Sequence, residues 1–171
     1  MIIQSASLED AQAIAELVNM GEREGQLLPR SLDSIRASIR DWVVAKESTR
    51  VIGCGSLIEM SPVLSEIRSL YVNPAARKNG IGAEIVQALF QLAREREIPT
   101  VFALTRAVPF FEKLGFQNTV KEDFPEKVWR DCMICPVRHA CDEVAVVYSV
   151  KSEAWVVVNL EKTEKSGLET S

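Results

Sequence analysis

Apolar positions along the chain recur with a period of two in some stretches and 3.6 in others, and the changes of period divide it into strands and helices. Ile2 to Ala6 reads as a short strand. Ser7, with Asp10 three residues on, has the form of an N-terminal cap, and the helix from about Leu8 to Met20 carries Ile14, Leu17 and Val18 at helical spacing. Gly21 to Arg30 is polar, contains a proline and predicts a loop. Ser31 or Asp33 then opens a second helix with Ile35, Ile39 and Trp42 inward. Trp42 to Ala45 and Arg50 to Glu59 predict a hairpin around Lys46 to Thr49, and Glu66 to Val72 is a further strand stopped by Asn73-Pro74. A helix over Ile81 to Arg96 puts Ile81, Ile85, Leu89, Leu92 and Ala93 on one face. Val101 to Thr105 is a short apolar strand, and Pro109 to Leu114 a helix closed by Gly115. Glu143 to Val150 and Trp155 to Leu160 have the pattern of a last hairpin.

The strand-helix-strand unit over residues 66–105 implies a parallel pair with a right-handed crossover, whereas the hairpins imply antiparallel pairs. The expected fold is therefore α/β, with a mixed central sheet and helices on both faces, in one domain over residues 1–160. Residues 161–171 have the composition of a disordered tail. Trp155 to Val158 is apolar on both faces and would aggregate as a bare edge, so it is expected to pair within the sheet or across a homodimer.

Composition narrows the partners. At 171 residues and 47% hydrophobic, the chain can bury one sizeable core. A net charge of -4 and a pI near 5.2 supply no basic surface for a nucleic-acid backbone. No apolar run approaches the roughly 20 residues of a membrane span, and the N-terminus lacks a signal-peptide pattern. The expectation is a cytoplasmic protein whose partners are neither nucleic acid nor membrane. In that reducing compartment cysteines serve as thiols or metal ligands more often than as disulfides.

The candidate chemistry begins at RKNGIG, residues 77–82, between the 66–72 strand and the 81–96 helix. A helix start leaves four backbone N–H groups unpaired at the positive end of its dipole, and so attracts an anion such as a phosphate. The stretch lacks the Lys-Ser/Thr ending of a P-loop and has too few glycines for a dinucleotide fingerprint. Taken alone, it serves equally well as a helix start that needs a positive backbone dihedral.

With its surroundings, IRSLYVNPAARKNGIGAEIVQALFQLA followed downstream by PFFEKLGF, it resembles the GNAT superfamily of acetyl-CoA-dependent N-acetyltransferases. The resemblance implies that acetyl-CoA is the co-substrate. Its pyrophosphate would lie on the backbone N–H groups of Arg77, Lys78, Asn79, Gly80, Ile81, Gly82 and Ala83, with Arg77 and Lys78 adding charge. It also implies that strands 70–72 and 101–105 splay, so that the pantetheine pairs with the edge at Leu70, Tyr71 and Val72. An amine must lose a proton before it attacks a thioester, and Glu66 matches the position where some members carry a catalytic glutamate. The alternative is a strand-end carboxylate paired with Arg68, which shares its face. Leu70 matches the backbone donor to the oxyanion. The tyrosine that many members place before EKLGF is here Phe111, which leaves Tyr71, Tyr148, a water or the substrate ammonium as the acid.

GQLLPRS, CGSLIE, SEIRSLYV, VFALT and PEKVWRDCMICP together are similar to the short stand-alone N-acetylglutamate synthases. The implied acceptor is L-glutamate, acetylated at the start of arginine biosynthesis. Two carboxylates call for forked cations, and the matching positions are Arg30 and Ser31, with Arg68 and Arg106 as further candidates. Competing acceptors are another amino acid, a polyamine or a protein amino terminus. The missing tyrosine also allows a non-catalytic acyl-CoA-binding module. Cys132, Cys135, His139 and Cys141 supply four zinc-type ligands, but the spacing after Cys135 is tighter than in familiar zinc modules. Free thiols are the first reading there, with a structural zinc or a labile disulfide as alternatives. Cys54, inside a strand, reads as core.

Overall fold

A computed structural model of the chain describes residues 1–124, 134 and 142–150. Among these residues seven strands form one sheet: β1 (Ile2–Ser5), β2 (Trp42–Glu47), β3 (Arg50–Ser61), β4 (Leu64–Val72), β5 (Thr100–Thr105), β6 (Gln117–Thr119) and β7 (Val144–Ser149). Their order is β1-β2-β3-β4-β5-β7-β6; β4 and β5 run parallel and every other neighbouring pair is antiparallel. The helices are α1 (Ala11–Arg23), α2 (Leu32–Ala37), α3 (Ile81–Glu95) and α4 (Val108–Lys113). The mixed α/β sheet expected from the alternation of periods is the one observed.

Burial on both faces of β2 explains why the sheet needs helices on both sides. Val43 and Ala45 pack with Ile85, Leu89 and Phe90 of α3, while Trp42 and Val44 pack with Ile14, Val18 and Ile35 of α1 and α2. Two glycines in β3 let α3 sit close: a Cβ on Gly55 would stand 3.0 Å from Ile85 and 3.2 Å from Leu89, and one on Gly53 3.0 Å from Ile85. Strand β6 had no sequence signal. Gln117, Asn118 and Thr119 are extended because they pair with Val147, Val146 and Ala145 of β7, so tertiary pairing overrides weak propensity there.

The helix starts follow their caps. Ser7 N–H donates to Asp10 Oδ2 at 2.9 Å; a short 3₁₀ turn over Leu8–Asp10 precedes α1, which runs on to Arg23, past the predicted end at Met20. Ser31 is the cap of α2, its Oγ accepting from Ser34 N–H at 3.1 Å. Asp10 is 4% exposed and meets Lys46 Nζ at 2.6 Å. Burial works to raise its pKa, but hydrogen bonds from Lys46 and Ser7 outweigh that and hold it below the ordinary 3.8. The stabilisation from Asp10 is therefore complete above that ordinary value and is lost as pH falls through the lower folded-state pKa. Urea denaturation at about pH 5 and about pH 3 should show a fall in stability that is smaller in Asp10→Asn; equal falls would remove Asp10 as a source.

The predicted strand over Trp155 to Leu160, with the dimer contact suggested for it, and the tail over residues 161–171 lie outside the described residues.

Candidate active site

The parallel pairing of β4 with β5 covers Leu64↔Thr100, Ser65↔Val101 and Glu66↔Phe102. Beyond Glu66 each strand stays with its outer neighbour, β4 with β3 as far as Gly53↔Val72 and β5 with β7 as far as Thr105↔Val144. The two central strands thus part into a wedge that opens toward their carboxyl ends, the splay that the resemblance implied. A cavity of about 540 Å³ occupies it. Residues 66–70 of β4 form one wall and residues 103–107 another. Phe110 and Phe111 of α4 close one side, and Gln26, Leu27, Leu28 and Arg30, from the loop after α1, line the rest with Glu143.

Glu66 stands at the apex, 3% exposed, and Arg68 Nε donates to its Oε2 at 2.7 Å. The two side chains share a strand face at i and i+2, as their spacing requires. Both the suggested base and its suggested ion-pair partner are therefore present together.

Just past them, β4 carries a bulge. Register passes from Ser56↔Arg68 to Cys54↔Tyr71, so Gly55 alone faces Ser69 and Leu70, and Ser69 takes a φ of +52°. Ser56 Oγ donates to Arg68 O at 3.2 Å, and the buried Cys54 thiol points at Ser69 O at 3.6 Å, so these two carbonyls are held toward β3. Burial pushes the Cys54 thiol up to about 12, which keeps it a neutral core group, as expected. The extra residue also reverses the side-chain alternation. Ile67, Leu70 and Val72 share the α3 side of the sheet, with Leu70 on the cavity, whereas Tyr71 turns to the α1 side. Its hydroxyl donates to Glu24 Oε1 at 2.9 Å. Of the two tyrosines suggested as acids, Tyr71 thus lies off the cavity lining. Tyr148, also off the lining, is stacked on Phe90 at 4.3 Å.

The RKNGIG loop sits beside the mouth of the wedge. Lys78 and Gly80 have φ of +74° and +73°, and Gly80 is the residue from which α3 springs. Glu84 N–H makes the first α-helical bond, to Gly80 O at 3.1 Å. The amides of Ile81, Gly82 and Ala83 precede it and have no partner within the helix. Gly82 abuts the wedge, since a Cβ there would meet the Phe110 ring at 3.4 Å and Val72 at 3.9 Å. Asn79 Nδ2 donates back to Ala76 O at 3.3 Å, which fixes the turn. Arg77 leans away from the helix start, with Nε on Val72 O and Nη2 on Glu24 Oε2, both at 3.0 Å.

Three of the four suggested acceptor residues, Arg30, Arg68 and Arg106, line one cavity. The fourth, Ser31, is off the lining and serves as the α2 cap. Arg106 ties the mouth together: Nε donates to Asp142 Oδ1 at 2.6 Å, and Nη1 reaches Gly25 O at 3.4 Å and Glu143 at 3.8 Å. Phe111 is 5% exposed, edge-on to Phe110 and Phe116, and brings no hydroxyl to the wall. Sequence reading missed Leu27, Leu28, Thr105, Phe110 and Glu143 as lining residues. The signals available were the apolar pair Leu27-Leu28 within an otherwise polar loop and the place of Leu27, Leu28, Thr105 and Phe110 in the segments GQLLPRS, VFALT and PFFEKLGF that carry the resemblance. Cys132, Cys135, His139 and Cys141 lie outside the described residues, and among the described ones no three metal-ligating side chains cluster.

Comparison with known proteins agrees with this geometry. An uncharacterized N-acetyltransferase of Chlorobaculum tepidum is 41% identical over 145 residues, which are 85% of this chain and 94% of that one. An amino-acid acetyltransferase of Mycobacterium tuberculosis is 34% identical over 118 residues, 67% of each chain. The amino-acid acetyltransferase of Pseudomonas putida GB-1 is 29% identical, and the match spans 29% of its length. Among solved structures, Rv2747 from Mycobacterium tuberculosis in complex with CoA and NLQ superposes with a TM-score of 0.76 at 27% identity, covering 88% of this chain and all of that one. N-acetylglutamate synthase from Neisseria gonorrhoeae, complexed with coenzyme A and N-acetyl-glutamate, shares the fold at TM-score 0.76 and 24% identity, over 88% of this chain and 35% of that one. The acetyltransferase (GNAT) family pattern matches residues 11–116, and by that match, together with the splayed strands and the helix start beside them, the chain belongs to the GNAT family of acetyltransferases.

Proposed function

We propose that the chain transfers the acetyl group of acetyl-CoA to the amino group of L-glutamate, the first step of arginine biosynthesis. The observation that carries this reading is the convergence of three arginines on the cavity. Arg30, Arg68 and Arg106 line it with Glu66 and Glu143, and Asp142 pairs with Arg106, so three forked cations and their carboxylate partners meet at one opening. L-Glutamate brings two carboxylates that such cations can pair with, whereas a polyamine brings none. The relatives that act on amino acids support the same acceptor class.

In this reading the amides of Ile81, Gly82 and Ala83 receive the diphosphate of the donor, and its pantetheine runs into the wedge along Leu70 to Val72. Glu66 takes one proton from the acceptor ammonium, directly or through a water, and the neutral amine attacks the thioester carbonyl. The oxyanion that forms is met by the backbone N–H of Leu70, on the bulge. Collapse breaks the C–S bond. The departing thiolate takes the second proton of the attacking nitrogen, so no tyrosine is required where Phe111 stands.

Thiol release from acetyl-CoA, measured across L-glutamate, L-aspartate, L-glutamine, L-lysine, spermidine and a peptide amino terminus, tests the acceptor. L-Glutamate is expected to give the highest kcat/KM, and equal rates across the panel would remove the assignment. A charge-assisted hydrogen bond contributes about 1.5–3 kcal/mol, so Arg30→Ala should raise KM for L-glutamate about 10- to 100-fold. An unchanged KM would take Arg30 out of the acceptor site.

A further inference from the structure

Arg77 heads the loop that would hold the donor's diphosphate, and its charge suits that ligand. Its observed contacts lead elsewhere. Nη2 meets Glu24 Oε2 at 3.0 Å, Nε meets Val72 O at 3.0 Å, and the guanidinium carbon lies 5.0 Å from the centre of the Tyr71 ring. Glu24 is gripped a second time by the Tyr71 hydroxyl at 2.9 Å. Hydrogen bonds from Arg77 and then Tyr71 hold the Glu24 carboxyl below its ordinary range, so the carboxylate is the form that belongs in this cluster.

Glu24 occupies a particular place. It is the C-cap of α1, its N–H bonded to Met20 O at 3.1 Å, and the chain turns immediately afterwards at Gly25, φ +70°. The turn brings Gln26 N–H and Leu27 N–H back onto Gly21 O at 2.9 and 3.2 Å. Gly21 has no side chain because there is no room for one: a Cβ would stand 2.7 Å from Leu27 and 2.9 Å from Tyr71. Leu27 lines the cavity. A short path of contacts therefore runs from the donor loop at Arg77, through Glu24 and Tyr71, to the segment over residues 25–30 that lines the acceptor's side of the wedge.

We infer that Arg77 and Glu24 are positioning residues for the acceptor: their ion pair ties the donor loop to the loop after α1 and holds residues 25–30 over the cavity. Arg77 thus acts on the acceptor side of the reaction, and the diphosphate is left to the amides of α3. The inference rests on the proposed placement of the acceptor under residues 26–30.

The test uses the full chain and the variants Arg77→Gln, Glu24→Gln and the double variant. Amide hydrogen exchange of residues 25–30 is expected to accelerate at least threefold in each single variant, and the double variant should add less than a further twofold, because both substitutions break one link. Calorimetry should give a Kd for CoA in Arg77→Gln within threefold of wild type. With whichever amine wild type acetylates fastest, acceptor KM should rise about tenfold while the KM for acetyl-CoA moves less than threefold. Exchange accelerated by less than threefold, or a CoA Kd raised more than threefold, would each overturn the inference. Neither readout depends on which amine is the acceptor, so a failure of the glutamate assignment is seen separately, in the acceptor panel.

Discussion

Glu66→Gln is expected to lower kcat by about 10²- to 10⁴-fold, the usual contribution of a positioned general base, while the affinity for CoA stays within about twofold. Glutamine keeps the length of the side chain and an oxygen that can accept from Arg68 Nε, but it cannot take the ammonium proton. The site makes this a sharp substitution. Glu66 is the last residue of β4 that pairs with β5, so its side chain sits where the wedge begins and the thioester carbonyl would come to rest. Its neighbour across the antiparallel pair is Ile58. A purely structural Glu66–Arg68 pair would give a different outcome. The neutral isostere would then weaken the fold or the acceptor KM and leave kcat near wild type. Steady-state thiol release together with CoA calorimetry separates the two, and an unchanged kcat excludes the base.

Gly80→Val is the second large effect, and it falls on the donor. At φ +73° an L-residue costs about 1–2 kcal/mol, and a β-branched one more, because its Cβ crowds the adjacent carbonyl. There is space for the side chain itself, since nothing lies within 4 Å of where a Cβ would go. The damage is therefore conformational. The loop relaxes toward negative φ, and the amides of Ile81, Gly82 and Ala83 lose their common aim at the diphosphate. An affinity loss of at least about tenfold for CoA, equivalent to about 1.4 kcal/mol, is expected by calorimetry. Gly82→Ala provides the contrast. Gly82 lies inside the first turn of α3, and its added methyl would meet Phe110 at an ordinary 3.4 Å, so the CoA affinity should change much less. Equal affinities for Gly80→Val and wild type would mean that this helix start does not bind the donor.

Which features were legible in the sequence follows from how local their causes are. The α3 stripe, the Ser31 cap, the turn at Asn73-Pro74 and the 42–59 hairpin each arise within a few residues, and the observed elements match them to within a few positions. The strand-helix-strand unit gave the parallel pair. Strand β6 could not be read, because Gln117 to Thr119 is extended only through its pairing with β7. The bulge was equally hidden: Ser69, not glycine, adopts the positive φ, so no residue type marks the place where the alternation reverses. That reversal is why Leu70 faces the cavity as the resemblance implied while Tyr71, suggested as an acid, faces Glu24. Arg77 shows the same limit. Its position in RKNGIG fixes its backbone, but its side chain follows a carboxylate 53 residues away in the sequence. The three arginines converge because the loop after α1, β4 and the end of β5 meet at one wedge, a fact of topology that spacing along the chain does not carry.

A competition experiment tests the glutamate assignment most directly. The full chain is given limiting acetyl-CoA and an equimolar mixture of the common amino acids, spermidine and putrescine, and the acetylated products are quantified by mass spectrometry. A cavity on which Arg30, Arg68 and Arg106 converge should yield N-acetylglutamate as the dominant product, and Arg30→Ala should erase that dominance. An acetylated polyamine or N-acetyllysine in its place would contradict it.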